Sequence, residues 1–150
     1  MKKLLSSLLI LSLLATGICL TASAESVLTG TVKGFHQYGN TILSLTPEEV
    51  NAAGIEAGDT VTVDVGGQKY DMLVTNSFDG MRPGELIFYV SKTDVMLSVF
   101  YSSFTFLSGL GVITDEGTYT WAEGVEQPVP VTVTLKAKRG QPSGGYTLGI

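Results

Sequence analysis

Thr60-Val61-Thr62-Val63-Asp64-Val65-Gly66-Gly67-Gln68-Lys69-Tyr70-Asp71-Met72-Leu73-Val74 is the stretch on which the fold turns. Val61, Val63 and Val65 alternate with Thr60, Thr62 and Asp64, a period of two that sets three β-branched side chains on one face of a strand. Gly66-Gly67 tolerates the positive φ angles of a two-residue turn, and Tyr70, Met72 and Val74 alternate with Lys69 and Asp71 on the return. The stretch predicts a β-hairpin.

Downstream, a loop over residues 76–84 leads into residues 85–90, where Leu86, Phe88 and Val90 oppose Ile87 and Tyr89. Apolar side chains on both faces predict a central strand. In residues 95–107, Val95, Leu97 and Val99 alternate as in a strand, whereas Phe100, Phe104 and Leu107 have helical spacing. A strand giving way to a short helix or irregular turn near Tyr101 satisfies both. Residues 119–121 read as a further short strand, and Val129, Val131, Val133 and Leu135 alternate with Thr132, Thr134 and Lys136 as another.

Upstream, residues 27–35 are rich in β-branched residues and end at the punctuated Gly34-Phe35-His36-Gln37-Tyr38-Gly39-Asn40, after which residues 41–45 form a second apolar run. Thr46-Pro47-Glu48-Glu49 is a capping box, with Thr46 as N-cap, Pro47 at the first helical position and Glu49 reaching back; Gly54 supplies the stop. Six or seven short strands and one short helix predict an all-β fold, a small barrel or sandwich with no internal repeat.

The first residues read differently. Met1-Lys2-Lys3, the apolar run of residues 4–20 and the small-x-small Ala22-Ser23-Ala24 predict a signal-peptide helix over residues 1–24, cleaved near Ala24, and thus secretion. The competing reading is an uncleaved anchor. Cys19 ends the apolar run, but Ile18 stands where a lipobox requires a small residue, which argues against lipidation. The remaining chain divides into a barrel over residues 25–138 and a Gly/Ser/Pro-rich tail over 139–150 that reads as frayed or truncated.

The chain has 150 residues, nine basic and fourteen acidic, for a net charge of −5. Cleavage would remove Lys2 and Lys3 and bring the mature chain to −7, which argues against nucleic acid or anionic lipid as partner. It also removes the single Cys, leaving no disulfide and no thiolate for zinc or nucleophilic attack. His36, the single imidazole, has no Gly-x-Ser-x-Gly elbow to serve. Asp59, Asp64, Asp71 and Asp79 lack calcium-loop spacing and read as solvated faces, so no metal site is expected. Glu48 with Glu49 suits a helix cap, and Glu123 with Glu126 an exposed turn. Tyr119 and Trp121 read either as a stacking platform for sugar or base or, with more weight, as barrel core. No catalytic residue follows from these patterns.

Tyr38-Gly39-Asn40-Thr41-Ile42, Ala57-Gly58-Asp59-Thr60-Val61, Gly84-Glu85-Leu86, and Ser91 ahead of Leu97-Ser98-Val99 come in a telling order. That order resembles the C-terminal β-barrel domain of the S-adenosylmethionine (SAM) hydroxide adenosyltransferases, relatives of the SAM-dependent chlorinase and fluorinase. The likeness runs from about Val32 to Val112 and extends toward the strand around Val131. It implies that the aromatic-Gly-Asn turn packs on adenosine, with Asn40 on the adenine edge and Ser91 on the methionine carboxylate. Tyr38, Asn40 and Ser91 are therefore the candidate binding residues, with SAM or adenosine as the implied ligand. From the residues alone, Gly39-Asn40 equally suits a plain connecting turn.

The resemblance is incomplete. Where the family carries an Arg-Asn-Ala-like segment, this chain has Tyr101-Ser102-Ser103, and the family's N-terminal domain with its catalytic Asp is missing from these 150 residues. The resemblance thus implies a secreted binding or accessory module that holds a nucleoside-like ligand or another protein domain without chemistry of its own. The alternative it implies is a SAM hydrolase, yielding adenosine and methionine, completed by homotrimerisation or a partner domain. Similar stand-alone modules in secreted bacterial proteins precede a tyrosine-phosphatase-like domain; no Cys-x5-Arg loop stands here.

Overall fold

The computed structural model describes residues 26–140, so the expected signal peptide and the tail beyond Gly140 lie outside the described residues. Nine strands and two short helices follow in order: β1 (Val27–Phe35), β2 (Thr41–Leu43), α1 (Pro47–Ala52), β3 (Thr60–Val65), β4 (Gln68–Thr75), β5 (Leu86–Val90), β6 (Val95–Val99), α2 (Phe104–Leu107), β7 (Gly111–Ile113), β8 (Tyr119–Trp121) and β9 (Pro130–Ala137). Seven of the strands close into a barrel in the order β1-β2-β6-β5-β4-β3-β9, while β7 and β8 form a separate two-stranded ribbon. The chain is all-β in the expected sense. One helix was expected outright; the second, α2, occupies the place of the predicted strand-to-helix change after β6.

Residues 60–75 form the β3–β4 hairpin. Val65 pairs with Gln68, and Gly66 and Gly67 have φ of 57° and 95°, the two positive angles that a turn matched to strand twist requires. Val61, Val63 and Val65 point inward and are buried, as are Met72 and Val74 across the hairpin. Phe88, Leu97, Val131 and Val133 complete the same interior, so alternation along each strand fills a barrel too small to leave a lumen.

Every barrel neighbour is antiparallel except β4 and β5, which run parallel from the pair Leu73–Ile87 to the pair Thr75–Tyr89. Parallel neighbours need a crossover instead of a tight turn. Residues 76–85 provide it, lying over the outside of the barrel with the Phe78 ring stacked 4.6 Å from Tyr89 and 6.1 Å from Phe100. The expectation that β5 is buried on both faces holds at its centre, where Ile87 and Phe88 are both inaccessible.

Each mouth of the barrel is covered by one helix. Thr46 Oγ1 accepts from the Glu49 N–H at 3.2 Å and Pro47 opens α1, which sends Val50 into the core, with Ile55 following. At the other mouth Ser103 Oγ accepts from the Phe106 N–H at 3.1 Å, and α2 buries Phe104, whose ring meets Tyr70 edge-on at 5.0 Å. The ribbon rests on α2 and on Phe35, which packs against Trp121 with ring centroids 4.7 Å apart. Trp121 and Tyr119 are thus ribbon residues, not members of the barrel wall.

Candidate functional site

The Tyr38-Gly39-Asn40 turn joins β1 to β2 at the α2 mouth. The His36 N–H donates to Asn40 O at 2.8 Å and the Gly39 N–H to His36 O at 2.8 Å, closing a compact loop. Gly39 has φ 84°, and a Cβ placed on it would collide with Ser103 Oγ and lie 2.9 Å from the Tyr119 hydroxyl. Only glycine fits, on conformational and steric grounds alike. Its carbonyl accepts from the Thr105 N–H at 3.0 Å and from the Ser103 hydroxyl at 3.3 Å, tying the turn to α2. Beneath it the buried hydroxyls of Thr41 and Thr105 share a 2.9 Å hydrogen bond.

This pinned turn presents its flanking residues outward. Tyr38 is 72% exposed, with its ring 5.2 Å from His36, and the half-buried Asn40 amide has no hydrogen-bond partner among the described residues. Ser103, in the segment that differs from the family pattern, is therefore the residue that seats the turn. Sequence spacing gave no warning of that, because the two positions are 64 residues apart.

Ser91 lies at the opposite mouth. Thr41 pairs with Leu97 and Ile42 with Met96, so Asn40 sits near the C-terminal end of β6, whereas Ser91 precedes its N-terminal end. The two are separated by roughly 13 Å of strand. Ser91 Oγ accepts from the Asp94 N–H at 2.8 Å and the Thr93 N–H at 3.2 Å, and donates to Asp94 O at 3.1 Å. The structure brings Tyr38 and Asn40 together and leaves Ser91 apart, engaged in its own turn.

One expectation about charge is overturned. Asp59, predicted to be solvated, is fully buried where β3 begins, because the Glu56 and Arg139 N–H groups each donate to its carboxylate at 2.8 Å and Lys138 Nζ approaches to 2.8 Å. Burial pushes this carboxyl upward, but Lys138 and the two backbone donors outweigh it and hold it below the usual value of 3.8. On the barrel exterior, hydrogen bonds from Lys136 and from the Thr62 hydroxyl likewise depress Asp71. Burial raises the Tyr70 phenol, which donates to Gln68 Oε1 at 2.6 Å. These pairings hold the barrel wall together and do not converge on one site. Among the described residues no three His, Cys, Asp or Glu side chains gather as a metal would need, and no helix is long and apolar enough to cross a membrane.

Sequence reading missed the character of the α2 mouth. Tyr38, Tyr101, Phe106, Leu107, Val112 and Ile113 are all large, exposed apolar side chains there, on the turn, on α2 with its leading residues and on the ribbon. Tyr101 holds a left-handed φ of 59°, an uncommon conformation for a bulky residue. The signal was present in Phe106-Leu107 and Val112-Ile113, but apolar pairs in a barrel sequence read first as core.

No protein-family profile and no curated protein matches the chain. Among solved structures it is similar to an uncharacterized conserved protein from Thermotoga maritima, with a TM-score of 0.56 and 15% identity over 73% of this chain and 36% of that one. It is also similar to a conserved hypothetical protein from Thermus thermophilus, with a TM-score of 0.43 and 20% identity over 70% of this chain and 34% of that one. The matched region spans about a third of the length of either. At such identity the first likeness is one of fold.

Proposed function

We propose that this chain is a secreted, non-catalytic binding module built on an adenosyltransferase-type barrel, and that its binding end is the α2 mouth. The observation that carries the reading is the Gly39-pinned turn, which offers an exposed Tyr38 ring beside an unbonded Asn40 amide. An aromatic face and an amide with both donor and acceptor are what a purine base needs for stacking and edge recognition. The apolar side chains around the turn form the kind of patch that a second chain or domain covers, completing a pocket that one barrel leaves open. Ser91 enters this reading only if a partner chain supplies its own copy.

The test is calorimetric titration of SAM into the mature chain, with chromatography of the products. Saturable heat that Asn40→Ala abolishes, with SAM recovered intact, is the expected result. Silence sinks the nucleoside reading, and release of adenosine and methionine replaces the module with a hydrolase.

A further inference from the structure

The mouth opposite the α2 end carries an open cleft of about 740 Å³ between α1, the end of β4 and the turn after β5, a volume suited to a small molecule. Val50, Ile55 and Val74 close its floor from within the core, and Tyr89, whose ring stacks on Phe78, lines it as a partly exposed residue. Thr75, Ser91 and Thr93 bring hydroxyls already engaged in local turns, and Glu48, Asn51, Asn76 and Lys92 complete the polar lining. None of these four side chains has a hydrogen bond or ion pair among the described residues.

The turns that carry two of them are held by hydrogen bonds between their neighbours. Asn76 lies between Thr75 and Ser77, where Thr75 Oγ1 accepts from the Ser77 N–H at 3.1 Å and donates to Ser77 O at 2.8 Å. Lys92 lies within the Ser91–Asp94 turn, which the Ser91 N–H also closes through Asp94 O at 2.9 Å. Asn51 belongs to the capped helix α1. The cleft thus has turns fixed by hydrogen bonds and four polar tips free to pair, and ordering those tips is the conformational cost that binding must meet.

We infer that this cleft is a second binding site, and that it takes a neutral carbohydrate ring. A pyranose has an apolar face for the partly exposed Tyr89, and a rim of hydroxyls that both donate and accept. Two amides, one carboxylate and one ammonium match that rim, since Asn51 and Asn76 do both, Glu48 accepts and Lys92 donates. A net-charged ligand gains little here. The rim holds one charge of each sign, both on exposed side chains, where ion pairs contribute little.

Titration of the full mature chain with glucose, galactose and N-acetylglucosamine and their disaccharides, followed by ¹H–¹⁵N correlation spectra, tests the inference. Expected are saturable shifts of the Asn51, Asn76 and Thr93 amide signals with at least one sugar, weakened about tenfold or more in an Asn51→Ala/Asn76→Ala variant. Both substitutions are on exposed positions, and an unchanged spectrum elsewhere verifies the fold. No sugar moving these signals, shifts centred on Tyr38 and Asn40 instead, or undiminished binding by the double variant would each overturn it. Ser91 lines this cleft too, so the two readings are separated by which signals respond: SAM at the other mouth moves Tyr38 and Asn40, and a sugar here moves Asn51, Asn76 and Thr93.

Discussion

The two mouths of the barrel are closed by the same device and finished in opposite ways. At the α1 mouth a six-residue helix buries Val50, and the hydroxyls of Ser91 and Thr75 satisfy the turns beside it from within. At the α2 mouth a four-residue helix buries Phe104 but leaves Phe106 and Leu107 outside, beside Tyr38, Tyr101 and the ribbon. One aromatic plug is enough to seal that mouth. The exposed side chains are therefore surplus to stability, and surplus apolar surface is where a partner would act.

The sharpest test of that division lies within α2 itself. Phe104 is 1% exposed and Phe106 60%, although they stand only a residue apart on the same helix. Phe104→Ala should cost about 3–5 kcal/mol in urea unfolding, whereas Phe106→Ala should stay within about 0.5 kcal/mol of the parent. Comparable losses from both would show the outer face of α2 to be structural.

Glycines set the next contrast. Gly39→Ala at the α2 mouth combines a left-handed φ with a clash against Ser103, and should cost about 2–4 kcal/mol. Gly54→Ala, after α1, keeps the strain of a φ of 76° but meets nothing within 4 Å, so about 1 kcal/mol is expected. Thermal melts of the two variants measure the difference. Pairing Gly39→Ala with Ser103→Gly should restore part of the loss if the hydroxyl is the obstacle.

Asp59 places the electrostatic anchor at the α1 mouth. Its native pKa lies below its unfolded value, so its contribution is fully present above the unfolded value of 3.8 and is lost as pH falls through the native one. The parent should therefore lose stability on acidification below about pH 4, and Asp59→Asn should flatten that part of the profile. At neutral pH the same variant should cost about 1–3 kcal/mol, from weakened pairing with the Glu56 and Arg139 N–H groups. An unchanged acid limb in the variant would move the anchor elsewhere.

What could be read in advance follows the range of the interactions. The β3–β4 hairpin, the Thr46 N-cap and the buried centre of β5 rest on neighbours a few residues apart, and local pattern was enough to place them; the Glu49 side chain, expected to reach back to Thr46, makes no such bond among the described residues. Closure of the barrel rests on β1 meeting β9 and on the parallel β4–β5 pair, contacts that alternation cannot encode. Asp59 misled for the same reason, since its partners Lys138 and Arg139 lie 79 and 80 residues away. Tyr38 and Asn40 were legible as a turn. That Ser91 sits across the barrel from them was not, because a strand's length separates residues that a motif order sets side by side.

The smallest expected effect concerns Ser98, on β6 near the α2 mouth. Its hydroxyl is buried and has no partner among the described residues, while its pair across the sheet is the inaccessible Ile87. A hydroxyl buried without a hydrogen bond is a net cost, so Ser98→Ala should raise stability by about 1 kcal/mol, read as a higher urea midpoint at constant slope. Asn40 falls one step beyond the Thr41–Leu97 pair, beside Ser98 in the register. A destabilised Ser98→Ala would therefore mean that this hydroxyl has found a partner in solution. The amide of Asn40 is the nearest claimant by register, and a bond between the two would take from the Tyr38–Asn40 turn the free amide on which its proposed role depends.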